Sequence, residues 1–370
     1  MSKIKSIKAR EILDSRGDWT IEVDLETSQG LFRDSAPSGA SKGKYEGKTV
    51  DSKTAVKNIN SLVAPKLKGK DPADQKKIDD ILKKLNIGAN ATTAVSLACC
   101  RAGAAAKNLP LYQYIAKIYG SRTPINLPRP AFNMINGGAH ASNHLDFQEF
   151  MVVLQHKTYS DNLKEASEIY QDLRKTLGRN VGDEGGFAPP LGNPEEALRL
   201  ISRKGVKIII DVAASQFSNR KYTPEYFQNL IKKYPIIGLE DPFTEDDVEG
   251  WQEVRRSDLL IFGDDLLATN PERIKMAKEK NLCNAMILKV NQIGTVTEAL
   301  EAVKLAKKYG WKIMVSHRSG ETNDDFMADL AVGIRADYIK SGAPARGERV
   351  AKYNRLLRIG EELNGKRSRL

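Results

Sequence analysis

Cysteine is scarce in this sequence, and long hydrophobic runs are missing from it. The three cysteines are Cys99, Cys100 and Cys283. Because their number is odd and two are adjacent, they do not indicate a disulfide framework, and a reducing compartment is expected. No stretch approaches the ~18 apolar residues of a membrane-spanning helix, and the first ten residues lack the apolar run of a secretory signal. We therefore expect a cytoplasmic protein without a membrane span.

Aromatic residues are missing from the most basic part of the chain. The 58 lysines and arginines exceed the 47 acidic residues and give a net charge of +11, which fits an anionic partner. The densest basic stretch, residues 66–84, interleaves acids with bases and has no aromatic ring on which a nucleobase could stack. We interpret it as a solvated helical face, and expect a small phosphorylated substrate rather than nucleic acid.

Two kinds of periodicity divide the 370 residues into two domains. Residues 5–33 alternate apolar and polar positions, with turn signals at "DSRGD" and "SQG", and this pattern predicts a small antiparallel meander. Helical periodicity follows over residues 52–119. The proline-bearing segment 121–130 then resembles a linker. We predict an N-terminal α+β capping domain at 1–127 and a second domain at 128–370.

The second domain alternates short apolar strands with helical stretches, which indicates the α/β class. Nearly continuous apolar runs separated by helices favour a parallel sheet covered on both faces. The predicted strands are 149–154, 206–212, 236–240, 260–265, 285–290, 312–317 and 336–340.

An ionisable residue stands at the C-terminal end of each of the last six predicted strands. The intervals of 23 to 29 residues correspond to about one βα unit each. In a β/α barrel the C-terminal strand ends surround one mouth, and catalytic groups come from several of them. Six such residues in register are hard to explain as solvated strand ends, so we predict a functional site there. The residues are Asp211, Glu240, Asp264, Lys289, His317 and Lys340.

Three carboxylates in this array, Asp211, Glu240 and Asp264, come from consecutive strands. They would repel one another unless a cation neutralised them. Because all three offer oxygen and none offers nitrogen or sulfur, they favour Mg²⁺ over zinc. A zinc site at His140 and His144 is disfavoured, since no glutamate lies between them and the segment is glycine-rich.

Lys289 ends the apolar run Ala285–Leu288, and two explanations are open for it. The strand could simply end there with the ammonium in water, or a partly desolvated amine could act as a base. The neighbouring array favours the second explanation. We expect like charges and Mg²⁺ to lower the pKa of Lys289, so that it removes a proton from a weak carbon acid.

Two glutamates precede the array. Glu149 lies in "DFQEF", and Glu184 lies in the glycine-rich loop "NVGDEGGFAPP". A loop glutamate is usually solvated, but glycine-rich loops also bring carboxylates close to a ligand, and the sequence leaves the two possibilities open. A base on one side and an acid on the other are what a β-elimination requires.

Ten short motifs follow one another in order along nearly the whole chain. They are "DSRG" (14–17), "PSGAS" (37–41), "INGGAHA" (135–141), "LDFQEF" (145–150), "VGDEGG" (181–186), "LEDPF" (239–243), "GDDL" (263–266), "LKVNQIG" (288–294), "VSHRSGET" (315–322) and "IKSGAPARGER" (339–349). Together these segments resemble the enolase family. The resemblance implies a β/α barrel with an N-terminal α+β cap, and Mg²⁺-dependent dehydration of 2-phosphoglycerate to phosphoenolpyruvate.

The resemblance also implies roles for individual residues. Lys289 matches the base at C2, and Glu184 matches the acid that protonates the leaving C3 hydroxyl, with Glu149 beside it. The first Mg²⁺ would be held by the three carboxylates of the array, and a second Mg²⁺, binding with substrate, by Ser41. Lys340 and His317 complete the catalytic set. Positions on the substrate side are His140, Gln148, Arg318, Ser319, Lys340 and Ala40, of which Arg318 and Ser319 match the phosphate contacts.

The family resemblance implies a homodimer formed by the meander and the C-terminal helix. Arg10, Glu22, Arg358 and Glu361 match the positions of inter-subunit ion pairs, with Glu22 facing Arg358 and Arg10 facing Glu361. Without the resemblance, each would be interpreted as an ordinary exposed charge.

The chain also departs from the family pattern. It is short for an enolase, with trimmed loops near 48–55 and 177–182 and after Asp211. Lys42 and Ser142 replace a usual threonine and glycine, which bears on the mobility of the lid. Two alternatives stay open: a related enzyme acting on a non-phosphorylated acid, or a binding protein with the same fold. The absence of paired lysines on the second barrel strand disfavours the first.

Overall fold

A three-stranded antiparallel sheet begins the chain in the computed structural model, which describes residues 2–40, 43–121, 126–216 and 222–367. Its strands are β1 (Ser6–Leu13), β2 (Trp19–Thr27) and β3 (Gly30–Ser35), in that order. Alternate residues of β2 such as Ile21 and Val23 are fully buried. The predicted meander is therefore confirmed, because its two-residue periodicity gives the sheet one apolar face.

Helices cover the buried face of this sheet and complete an α+β cap. They are mostly short, and a π-helical turn, Ile59–Val63, joins the first two. The longest one is almost entirely buried, and its many alanines allow close packing against the sheet. The helices are α1 (Ser52–Asn58), α2 (Ala64–Leu67), α3 (Gln75–Leu85), α4 (Ala89–Ala106) and α5 (Leu111–Tyr119).

Eight strands then close into a barrel. Seven of them coincide with predicted apolar runs. The first was missed, because its prolines and the preceding linker pattern hid a strand whose residues after Arg129 are all buried. The strands are β4 (Arg129–Asn136), β5 (Glu149–Val153), β6 (Lys207–Asp211), β7 (Ile236–Glu240), β8 (Leu260–Gly263), β9 (Ala285–Leu288), β10 (Lys312–Ser316) and β11 (Tyr338–Lys340).

One strand runs against the others, so the prediction of a wholly parallel sheet was wrong. β5 pairs antiparallel with both β4 and β6, while the remaining neighbours are parallel. The segment 137–148 between β4 and β5 contains only one short 3₁₀ turn, Gly138–His140, and no helical crossover of the kind that parallel neighbours require. As a result the first residue of β5, rather than its last, lies at the barrel mouth.

Helices surround the barrel and leave its strand ends on one side. Several begin with a polar N-cap, such as Thr158, Thr223 and Thr295, whose side chain accepts a hydrogen bond from the first turn. The helices are α6 (Tyr159–Leu177), α7 (Pro194–Ile201), α8 (Pro224–Lys233), α9 (Val248–Val254), α10 (Pro271–Glu279), α11 (Val290–Ile293), α12 (Val296–Lys308), α13 (Phe326–Gly333) and α14 (Gly347–Arg367). Within the described ranges, none of the helices has the length and apolar character needed to cross a bilayer.

A buried polar contact joins the cap to the barrel. Asp79 of α3 accepts hydrogen bonds from Ser96 Oγ at 2.7 Å and from the backbone N–H of Thr297, at the start of α12, at 2.9 Å. Burial raises the pKa of Asp79, although these donors oppose the shift. The carboxylate therefore caps a barrel helix from the neighbouring domain and fixes the cap over the barrel.

Candidate active site

The six ionisable residues predicted at the strand ends lie together at the barrel mouth. Asp211, Glu240 and Lys340 are the last residues of β6, β7 and β11, and the other three follow β8, β9 and β10 by one residue. Glu240 and Lys340 are buried below a cavity. Of the other predicted site residues, Ser41 lies outside the described residues, and the rest line this cavity: Ala40, His140, Gln148, Glu149, Glu184, Asp211, Asp264, Lys289, His317, Arg318 and Ser319.

Lys340 lies at the centre of a carboxylate cluster. Its Nζ is 2.8 Å from both oxygens of Glu240, 3.1 Å from Oε1 of Glu149 and 3.3 Å from Oδ2 of Asp211. Burial lowers the pKa of Lys340, but the three carboxylates outweigh burial and raise it well above its usual value. One ammonium group faces three acidic groups, so it does not balance their charge when all three are ionised, and a further cation would be favourable.

The same crowding acts on the carboxyl groups. Burial, followed by the charge of Glu184, raises the pKa of Glu149 to about 8. Burial and the charge of Asp211 raise the pKa of Glu240 well above its usual value. It is therefore unfavourable for Glu149 and Glu240 to be ionised at the same time. A bound cation would remove this penalty, so the raised pKa values are typical of a site that accepts a cation.

Lys289 forms an ion pair with Asp264, its Nζ donating to Oδ2. The other carboxylate oxygen, Oδ1, accepts a hydrogen bond from Gln292 Nε2 at 2.9 Å. Burial lowers the pKa of Lys289, Asp264 raises it, and the net direction is upward. The lowered pKa expected from the sequence is thus wrong for these side chains taken by themselves, because the prediction did not include Asp264 as a direct partner of the amine.

Glu184 is held on the other side of the cavity. Its Oε2 accepts hydrogen bonds from Asn133 Nδ2 at 2.8 Å and Asn136 Nδ2 at 3.1 Å, both on β4. Its Oε1 lies 3.3 Å from His140 Nδ1 and 3.6 Å from His317 Nε2. Burial raises the pKa of Glu184, but His140 and His317 lower it by more than burial raises it. The net pKa of Glu184 is therefore well below its usual value. Glu184 is consequently the ionised partner of the protonated Glu149.

The predicted phosphate contacts lie side by side at another part of the cavity. Ser319 Oγ accepts hydrogen bonds from the backbone N–H of Ala40 at 2.6 Å and from Arg16 at 3.3 Å. The guanidinium of Arg318 donates to both oxygens of Glu46, each at 3.1 Å. Glu46 was not predicted as a site residue, although it lies only five residues after the segment "PSGAS".

Arg349, on the first turn of α14, is a second site residue that the sequence did not reveal. It is fully buried and donates to Nδ1 of His317 at 2.6 Å and to the carbonyl oxygens of Arg318 and Ser319, both at 2.7 Å. Because arginine only donates, Nδ1 of His317 accepts and Nε2 carries the proton that faces Glu184. Burial lowers the pKa of His317 well below its usual value, in agreement with a neutral ring. The only feature of the sequence that pointed to Arg349 was its place at the end of the segment "IKSGAPARGER".

Asp241 is a third unpredicted residue, and it supports Asp264. Its backbone has φ +40°, a left-handed value that is uncommon for a residue other than glycine. Its carboxylate accepts the backbone N–H groups of Asp264 at 2.9 Å and Asp265 at 2.6 Å. The strained residue therefore fixes the loop that carries Asp264.

The side chains that could hold a metal ion form two sets in the described part of the chain. One is Asp241, Asp264 and Asp265, and the other is His140, Glu149 and Glu184. The ligand set predicted from the sequence is divided differently, since Asp211 and Glu240 contact Lys340 while Asp264 contacts Lys289. All the carboxyl groups of the site offer oxygen donors, so the donor chemistry fits Mg²⁺.

Comparison with known proteins covers both domains. The family model "Enolase, N-terminal domain" matches residues 4–115, and "Enolase, C-terminal TIM barrel domain" matches residues 124–224 and 219–368. Enolase of Eimeria tenella is 45% identical over 99% of this chain and 97% of its own length. Enolase of Solanum lycopersicum is 44% identical over 98% of this chain and 96% of its own length.

These alignments also show where the chain departs from its relatives. They extend over 432 and 429 residues, whereas the chain has 370, so the relatives contain segments that this chain lacks. The expectation of a short family member is thereby confirmed. The barrel domain matches in two pieces that meet near 219–224, within the stretch after Asp211 that was expected to be trimmed. Because the matches nevertheless cover both domains and nearly the full length, the chain belongs to the enolase family, and its activity is that of phosphopyruvate hydratase, a carbon–oxygen lyase.

Proposed function

We propose that 2-phosphoglycerate loses water in the cavity at the barrel mouth, with Lys289 as the base and Glu184 as the acid. The observation that carries this assignment is that both side chains line one cavity from different parts of the barrel. Lys289 follows β9, while Glu184 is held by β4, which is three strands further around the barrel. A β-elimination needs its base and acid separated in this way.

In the first step the Nζ of Lys289 removes the proton from C2, and the electron pair moves into the substrate carboxylate. Lys340 lies beside the carboxylates at the base of the cavity, where its charge stabilises the negative charge that develops. The residues that would hold Mg²⁺ are Asp211, Glu240 and Asp264, and for a second ion Ser41. Bound Mg²⁺ would supply neutralisation of the substrate carboxylate and of Asp264, and the latter effect would lower the pKa of Lys289.

In the second step the electron pair returns from the carboxylate to form the C2–C3 double bond, the C3–O bond breaks, and the departing hydroxyl takes a proton to leave as water. The pKa of about 8 for Glu149 keeps a proton next to Glu184 at neutral pH. His140, whose pKa is lowered by burial but raised overall by Glu184, is a further proton source in the same cluster. We assign the final transfer to Glu184 and the storage of the proton to Glu149 and His140.

Arg318 and Ser319 hold the phosphoryl group, and the backbone N–H of Ala40 closes this part of the cavity. Arg318, Ser319 and Ala40 all line the cavity at the mouth of the barrel, and the backbone N–H of Ala40 donates to Ser319 Oγ. Gln148 and His317 complete the substrate side, with Lys340 at the carboxylate. A guanidinium matches the oxygens of a phosphoryl group better than an ammonium does, which supports a phosphorylated substrate over the non-phosphorylated acid of the alternative.

The chain is also proposed to act as a homodimer in the cytoplasm, with its domain boundary near residue 127. Two large apolar side chains at the end of the β1–β2 hairpin, Leu13 and Trp19, are 57% and 64% exposed, which supports an interface on the meander. The fact that all three cysteines are free supports a reducing compartment. Growth of phosphoenolpyruvate absorbance on adding 2-phosphoglycerate, with and without Mg²⁺, tests the function, and activity that persists after exhaustive chelation would contradict the metal assignment.

A further inference from the structure

Arg318 and Glu46 form a bidentate ion pair inside the substrate cavity. The two guanidinium nitrogens NH1 and NH2 each donate to a different carboxylate oxygen, at 3.1 Å in both cases. Both side chains are largely buried, and both line the cavity. Burial lowers the pKa of Arg318, but Glu46 is the strongest opposing influence and the net direction is upward. The pair is therefore a strong, partly desolvated contact rather than a solvated surface pair.

Glu46 is held in this position by the backbone around it. The carboxylate accepts the backbone N–H of Gly43 at 3.3 Å, and the backbone N–H of Glu46 donates to the carbonyl oxygen of Gly43 at 3.1 Å. The next residue, Gly47, donates to the carbonyl oxygen of Gln292 at 2.7 Å. The segment 43–47 thus delivers the carboxylate to Arg318 from the cap domain, across the domain interface.

A phosphoryl group on Arg318 would meet this carboxylate. The two lysines of the site are already paired, Lys289 with Asp264 and Lys340 with three carboxylates, and Arg16 beside Ser319 is paired with Asp18 at 2.8 Å. One guanidinium cannot neutralise both a carboxylate and a doubly charged phosphoryl group, and like charges around a shared partner repel. Binding of a phosphoryl group to Arg318 therefore weakens the Glu46–Arg318 ion pair, and the ion pair weakens binding of the phosphoryl group.

We propose that Glu46 competes with the substrate's phosphoryl group for Arg318, so that Glu46 sets the affinity of the site for phosphate oxyanions. The proposal rests on the proposed function, in which Arg318 and Ser319 hold the phosphoryl group. The competition lowers the affinity for substrate and product alike, and weaker binding of product favours its release. Glu46 is thus an affinity-determining residue of the site and takes no part in the proton transfers.

Calorimetric titration with inorganic phosphate, in buffer freed of divalent metal, tests the competition without any turnover. Glu46→Gln removes the charge and keeps the shape, and Glu46→Ala removes the whole carboxylate group. Both variants should bind phosphate about tenfold more tightly than the wild type. Thermal melting of each variant confirms that it is folded, and either one suffices for the comparison.

Asp265→Asn is the matched control, because Asp265 is another carboxylate of the same cavity. It should tighten phosphate binding much less than Glu46→Gln does. If the two variants tighten binding equally, the general field of the cavity sets the affinity and the competition is refuted. Unchanged or weaker binding by the Glu46 variants also refutes it, since weaker binding would mean that Glu46 orients Arg318 for the ligand.

Arg318→Gln separates this proposal from the proposed function. In that background phosphate binding should weaken strongly, and the added Glu46→Gln change should no longer tighten it. If Arg318→Gln leaves phosphate affinity unchanged, the phosphate site itself is misplaced and both proposals fail. If only the Glu46 variants fail to tighten binding, the phosphate site stands and the competition alone is refuted.

Discussion

Glu149 lies directly opposite Asp211 across the β5–β6 ladder, although Glu149 begins its strand and Asp211 ends its own. The pairing is possible because β5 runs antiparallel to β6. It places a carboxylate from the start of one strand in the ring of groups that the other strands present at their ends. Lys340 reaches both acids from β11, so the reversed strand contributes directly to the ion cluster.

Replacing Asp264 by asparagine should weaken Mg²⁺ binding and abolish turnover. The substitution removes one charge from the carboxylates proposed to hold the ion, and it also removes the partner of Lys289. Mg²⁺ titration by calorimetry measures the first effect, and the absorbance assay measures the second. Asp258→Asn is the control, because that acid is exposed and forms an ion pair with Arg256. Mg²⁺ affinity equal to that of the wild type would contradict the ligand assignment.

Lys289→Ala and Glu184→Gln should separate the two chemical steps. Without the amine, exchange of the substrate C2 proton with solvent should fall by about 10²–10⁴-fold. Without the acid, exchange should continue while loss of water stops, because the two groups are held on different strands. Proton exchange followed by nuclear magnetic resonance, alongside the absorbance assay, distinguishes the steps. If both variants lose C2 exchange while substrate still binds, the division of roles is incorrect.

Asp79→Ala should destabilise the docking of the cap on the barrel by about 2–3 kcal/mol. The change leaves the hydroxyl of Ser96 and the backbone N–H of Thr297 without their buried acceptor. Urea unfolding monitored by circular dichroism provides the measurement. Asp80→Ala, at the exposed neighbouring position on the same helix, controls for the change in helix charge and propensity. A similar loss of stability in both variants would mean that the cap contact is unimportant.

Asp24→Asn should reduce stability at neutral pH but not in acid. Hydrogen bonds from Arg33, and then from Arg10, lower the pKa of Asp24 below its ordinary value, although burial opposes them. The unfolded state therefore takes up the proton first as the pH falls, so the stabilisation is present above pH ~4 and is lost below it. The difference at pH 7 should be about 0.2–1 kcal/mol, as for other partly exposed pairs. Thermal melts of both proteins at several pH values would show curves that converge in acid, and a constant difference would contradict this account.

Glu22→Lys should shift the proposed homodimer toward monomer, and adding Arg358→Glu should restore it in part. Within the chain Glu22 contacts Arg10, its register partner on β1, and Arg33 at 3.3 Å, while Arg358 lies 3.8 Å from Asp325. An interface through these charges should dissociate more readily as salt increases, because screening weakens exposed pairs. Light scattering at micromolar concentration tests both statements. A monomeric wild type in low salt, or no rescue by the double change, would remove these residues from the interface.

Much of the barrel could be predicted from local pattern. Apolar runs of four to seven residues mark seven of the eight strands, because a strand buried on both faces needs side chains that tolerate burial at every position. The eighth strand, β4, was hidden by Pro130 and by the linker composition before it. Its strand state depends on pairing with β5 and β11, which lie far apart from each other in sequence. The direction of β5 was likewise set by its connections and its neighbours rather than by its own residues.

The amino-acid sequence alone indicates which ionisable groups meet, because a β/α barrel gathers the ends of its strands in one place whatever their distance along the chain. It therefore specified Asp211, Glu240, Asp264, Lys289, His317 and Lys340 as one site. How these charges pair, and which further groups support them, depends on the packing of the folded chain. Glu46 comes to Arg318 from the cap, and Arg349 comes to His317 from the last helix. The raised pKa of Lys289 depends on its contact with Asp264, 25 residues earlier in the chain. Electrostatic interactions depend on distance and burial, and the distances between side chains on different elements exist only in the folded chain.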